Sequence, residues 1–184
     1  MAATSQWLRR HGLGRTAIHE AGHGALAIIE GGSFDEIVLQ KTENLNACIR
    51  NLKCNKNALV RIYLAGIMAA RMARHGWGEL FFNTAHDDLG AVAAFAKEWN
   101  DTVNILEWHI LVTEEHLKEK WGSVEKIAES LIRNRRVTYE EAVRLFEACQ
   151  AANESRPLGK IGTSGWQPLI ARILMKPQFT EAVT

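Results

Sequence analysis

The chain has 184 residues, 47% of them hydrophobic and 23% charged, and its 22 basic and 21 acidic residues give a formal net charge of +1. That balance excludes a largely disordered chain and gives no electrostatic reason to expect nucleic acid or an anionic membrane as partner. No apolar run approaches the roughly 20 residues of a bilayer span and no secretory signal opens the chain, so the expectation is a soluble cytoplasmic protein with no membrane partner.

The length suits one domain with a buried core, and the pattern of elements puts it at residues 15–151, after a lead-in at 1–14 and before a tail at 152–184. Cys48, Cys54 and Cys149 are an odd number at no metal-finger spacing, which suits free thiols in a reducing compartment.

The first predicted element is a helix over about residues 15–30, with Ala17, Ile18, Ala21, Ala25, Leu26, Ile28 and Ile29 at helical spacing. It carries His19-Glu20-Ala21-Gly22-His23. Four residues apart on a helix, the two imidazoles stack on one face and can ligate a single metal ion. Glu20 lies beside them, where a carboxylate can reach a metal-bound water without ligating the metal, the position of a general base for hydrolysis. Gly31-Gly32-Ser33 ends the helix, since paired glycines favour a left-handed exit.

Phe34 to Gln40 is rich in β-formers and predicts a strand, with a weaker second one at Asn46 to Leu52 across a polar turn. An exposed strand edge near a hydrolytic metal can hold an extended peptide as an added strand. Ala47, Cys48, Ile49 and Arg50 are the candidates for that substrate-binding edge; an ordinary hairpin with no such role is the alternative.

Asn57 to Arg74 is apolar nearly all round, which predicts a helix buried on most sides and packed on the metal helix. Gly66 in its middle costs about 1 kcal/mol relative to alanine and so marks a close helix crossing. After an aromatic loop at 75–85, a further helix opens at His86-Asp87-Asp88. Acidic residues there can simply cap free N–H groups. A hydrolytic zinc site, however, needs a third protein ligand while keeping one position open, and a carboxylate at a helix terminus is well placed to supply it.

Three more helices are predicted at Asp101 to Trp121, Ser123 to Asn134 and Thr138 to Ala151, with Ser123 and Thr138 as N-caps and Glu141 completing a capping box. His109 and His116 read as surface histidines, and Arg133, Arg135 and Arg136 as partners of a helix dipole. Beyond Ala152, prolines and glycines predict a flexible tail with at most a short helix at Leu169 to Met175.

Thr16-Ala17-Ile18-His19-Glu20-Ala21-Gly22-His23-Gly24 resembles the active-site helix of the FtsH family of ATP-dependent zinc metallopeptidases, which reads T-A-x-H-E-A-G-H-A. Tyr63-Leu64-Ala65-Gly66-Ile67-Met68-Ala69-Ala70 resembles that family's second helix, and Thr84-Ala85-His86-Asp87-Asp88-Leu89 its G-A-S-N-D-L stretch. The resemblance spans about Arg15 to Ala151. It implies a mainly α, helical zinc-metallopeptidase domain with a small β-hairpin near the active site. It also selects Asp88 over Asp87 as third metal ligand beside His19 and His23, with Glu20 as base.

The chain carries no Walker A sequence, so the expectation is a peptidase domain without its own ATPase. It would bind Zn²⁺ and hydrolyse peptide bonds in unfolded or flexible polypeptides, with a homo-oligomer or a separate ATPase partner both open. The alternative is a catalytically idle zinc-binding module on the same fold that binds peptides or regulates. Intact Glu20 argues against it, because a purely structural site has no use for a base.

Overall fold

In the computed structural model, residues 13–39, 47–73, 86–151 and 162–175 are described. The expected mainly α class holds: seven helices and one small antiparallel sheet make up the described residues.

Helix α1, Gly14–Ile29, is the centre of the core, with Ala17, Ile18, Ala21, Ala25, Leu26 and Ala27 all buried. Gly31 stops it at φ +68°. The Gly31 N–H returns to the Ile28 carbonyl at 3.1 Å and the Gly32 N–H to that of Ala27 at 2.8 Å, a Schellman closure that satisfies carbonyls the helix end would otherwise leave open. Helix α2, Lys56–Met72, is capped by the Asn55 side chain, which accepts from the Ala58 N–H at 2.9 Å.

Small residues let α1 and α2 approach closely. A Cβ on Gly22 would lie 2.7 Å from both the Ala65 carbonyl oxygen and the Ala69 Cβ, so any side chain there would push the pair apart.

Strands β1, Glu36–Leu39, and β2, Ala47–Arg50, form the expected hairpin pairing, with Ile37 opposite Ile49. The sheet has a third strand that the sequence reading misses: β3, Arg136–Thr138, pairs antiparallel with the other side of β1, placing Val137 opposite Ile37. The order β2-β1-β3 leaves β2 at an edge. Arg136 is therefore not merely a dipole partner, since its guanidinium lies 2.8 Å from Glu36 Oε2.

Helix α3, His86–Ala96, is followed by α4, Thr102–Glu119, α5, Trp121–Asn134, and α6, Tyr139–Ala151. Ser123 is not an N-cap. It lies inside α5, buried, and its hydroxyl donates to the Phe146 carbonyl at 3.1 Å, tying α5 to α6. Thr138 does cap α6, accepting from the Glu141 N–H at 3.3 Å, but the Glu141 carboxylate accepts from the Ser130 hydroxyl at 2.6 Å instead of closing the box. His109 is buried, not on the surface, and stacks on Trp99 with ring centroids 5.3 Å apart.

The last helix, α7, Gly162–Met175, is twice the expected length and runs through Pro168. An interior proline costs about 3 kcal/mol, but Trp166, Leu169, Ile170 and Ile173 are all buried, at about 1.5–3 kcal/mol each, and their burial outweighs it. α7 packs on α3 and α4, so it buttresses the helix that carries Asp88. No helix of the described residues is long and apolar enough to cross a membrane. Residues 1–12 of the lead-in and the whole aromatic loop at 75–85 lie outside the described residues.

Candidate metal centre

Three ligand-type side chains converge from two helices. α1 places His19 and His23 one turn apart, and the first turn of α3 brings in Asp88. His19 Nε2 lies 2.9 Å from Asp88 Oδ2, His23 Nε2 lies 3.4 Å from the same oxygen, and the two Nε2 atoms are 3.0 Å apart. Donors bonded to one tetrahedral ion at about 2.0–2.1 Å stand roughly 3.3 Å from one another. The observed spacings are close to that, so the three residues fit a metal ion without rearrangement of the backbone. They are the one such group of three or more among the described residues.

His23 is oriented from behind. Its Nδ1–H donates to the Ile62 carbonyl of α2 at 2.6 Å, which fixes the ring and turns Nε2 toward Asp88. Such an outer partner is the usual support of a ligating histidine. The sequence reading does not find it because the acceptor is main chain. Gly66, one turn further along α2, makes room for the ring: a Cβ there would overlap His23 Cε1 and Nε2. The close crossing marked by Gly66 is thus a contact between α2 and a candidate ligand.

The electrostatics follow from burial and the short distances. For His23, burial opposes the charged form, but the Asp88 carboxylate, through its charge and its hydrogen bond, outweighs it; with Glu20 and the Ile62 carbonyl adding, the imidazole is pushed up to about 9. Burial would also raise Asp88, yet the charge of His23 and the hydrogen bonds from both histidines hold its carboxyl well below the usual carboxylate range. Glu20 is 6% exposed, and burial pushes its carboxyl up against the lowering effect of the two imidazoles, with the Asp88 charge adding to the rise.

These residues line a cavity of about 290 Å³. The lining includes His19, Glu20, His23, Asp87 and Asp88 together with Ala47, Cys48 and Ile49 of edge strand β2. Of the four strand residues expected at the site, Arg50 does not reach the cavity; its guanidinium pairs with Glu36 at 2.9 Å on the exposed side. Leu52, Ile62 and Tyr63 complete the lining and are absent from the sequence reading of the site. Tyr63 is the one sequence signal available, a phenol in an otherwise aliphatic stretch of α2. Burial, the Asp88 charge and Cys54 push that phenol up.

Among known proteins, no family model matches the chain and no curated protein matches it.

Proposed function

We propose that the chain is a zinc metallopeptidase domain that cuts unfolded or flexible polypeptides, similar in kind to the FtsH-family peptidase. The observation that carries the reading is the position of Glu20: a carboxylate 6% exposed, with no hydrogen-bond partner among the described residues, in the same cavity as three converging metal donors. A buried carboxylate is costly to a fold, and a hydrolytic base gives it a purpose.

His19, His23 and Asp88 would hold the ion, and two imidazoles with one carboxylate favour zinc. When bound, zinc lowers the pKa of a coordinated water toward ~7 and polarises a carbonyl. Glu20 accepts the proton of the attacking water on a carboxylate oxygen and passes it to the leaving amine nitrogen; its upward shift brings it nearer the pH at which a base works best. Among the described residues β2 is an edge strand along the cavity, to which an extended substrate adds as a further strand.

The test is cleavage of an unfolded, fluorescently labelled protein by the zinc-loaded chain and by Glu20→Gln. The expected result is one zinc per chain in both, cleavage by the wild type, and a loss of about 10²–10⁴-fold in the variant. Equal cleavage by both removes Glu20 from the chemistry. One zinc per chain with no cleavage by either favours an idle peptide-binding module.

A further inference from the structure

Hydrolysis of an amide needs more than a base. Negative charge builds on the carbonyl oxygen as the tetrahedral state forms, and a donor placed for that oxygen lowers the barrier. The cavity wall offers few such groups. Its lining consists of the three converging donors, the acceptor carboxylates of Glu20 and Asp87, aliphatic side chains, the weakly donating thiol of Cys48, and Tyr63. Among the described residues, Tyr63 is thus the single neutral side chain there with a strong donor.

Its hydroxyl is also available. Tyr63 is half-buried, yet among the described residues its O–H has no hydrogen-bond partner, whereas a buried tyrosine ordinarily finds one. Its place on the backbone is firm. Tyr63 directly follows Ile62, whose carbonyl holds His23 Nδ1 at 2.6 Å, so one turn of α2 orients a candidate ligand and presents the phenol. Glu20 reaches the same cavity from α1, and β2 faces it.

The geometry points to Tyr63 as a second catalytic residue, its hydroxyl donating a hydrogen bond to the scissile carbonyl oxygen of a polypeptide held along β2. This rests on the peptidase reading. Glu20 moves the proton and Tyr63 holds the developing charge, so the two act on different atoms of one substrate and neither replaces the other.

The experiment compares zinc-loaded wild type, Tyr63→Phe and Glu20→Gln on a fluorogenic peptide. It also measures binding of a tetrahedral phosphonate analogue of that peptide, and of the intact peptide to Glu20→Gln with and without Tyr63→Phe. The expected result for Tyr63→Phe is unchanged zinc content, Tm and KM, a kcat about 100-fold lower, and phosphonate affinity lower by a similar factor while the intact peptide binds as before.

A kcat within about twofold of wild type, with undiminished phosphonate affinity, overturns the assignment. So does a raised KM at unchanged kcat, or loss of zinc, since either makes Tyr63 a binding or packing residue. In those cases the peptidase reading survives if the wild type cuts and Glu20→Gln does not. A wild type that neither cuts nor binds the phosphonate takes down both.

Discussion

The His23 imidazole occupies the space that a side chain at Gly66 would fill. The ring crosses α2 at that notch to reach the Ile62 carbonyl, one turn back along the helix, at 2.6 Å. Gly66→Ala therefore has two opposed effects: it removes a helix-interior glycine, worth about 1 kcal/mol, and it displaces the ring of a candidate ligand. Zinc affinity should fall about 10- to 100-fold, with Tm of the metal-free protein changing little by comparison. A competition titration with a chromogenic chelator decides it, and wild-type affinity in the variant would show that His23 does not need the notch.

The His23–Asp88 pair sets a pH dependence for the metal-free protein. His23 rises from its ordinary 6.5 to about 9, so between those values the folded chain holds a proton that the unfolded chain releases. The stabilisation is full below pH 6.5 and is lost as pH rises through about 9. Asp88 is depressed below its ordinary 3.8, so its share is present above that pH and is lost as pH falls through the folded value. These are two ends of one ion pair. Tm of the metal-free chain should decline from pH 6.5 to 9, and Asp88→Asn should flatten that limb and weaken zinc binding at least about tenfold, while Asp87→Asn does neither. Zinc uptake near pH 7.5 should also release a proton, seen as a buffer-dependent heat in calorimetry. A limb of equal slope in Asp88→Asn would mean another group titrates there.

Trp166 tests whether α7 is part of the fold. It is fully buried, its indole N–H donates to Glu114 Oε2 at 2.7 Å, and the Arg71 guanidinium sits 4.7 Å from its ring centroid. Trp166→Ala should cost about 3–5 kcal/mol, and Trp166→Phe, which mainly removes the donor, about 1–3 kcal/mol, by urea unfolding. Values under about 0.5 kcal/mol for both would make α7 an appendage.

His19, Glu20 and His23 are legible in the sequence because helical periodicity alone fixes their relative placement within five residues. Asp88 is not: no local spacing links it to the histidines, and only the resemblance to the FtsH family favours it over Asp87. Other features are hidden for physical reasons. β3 is three residues with an arginine at its start, too short to show alternation, and exists because β1 offers it a pairing edge. The Ile62 acceptor is a carbonyl that every residue has, so no side-chain pattern reveals it. α7 carries the proline and glycines that read as breakers, and tertiary burial of Trp166 overrides them. Ser123 looks like a cap by composition, yet the buried Phe146 carbonyl claims its hydroxyl.

Edge strand β2 is four residues long, about 13 Å of chain. A ledge that short can pair with only a few peptide units of an incoming chain, and main-chain pairing is indifferent to the letters of the sequence it meets. If β2 holds substrate as proposed, whatever lies along it would be sorted by conformation: a segment that can straighten for a few residues would be admitted, and one locked in a helix would not. Selectivity at such a ledge would be a matter of how often a polypeptide is locally loose, so two chains of identical composition would be treated differently if only one of them is folded.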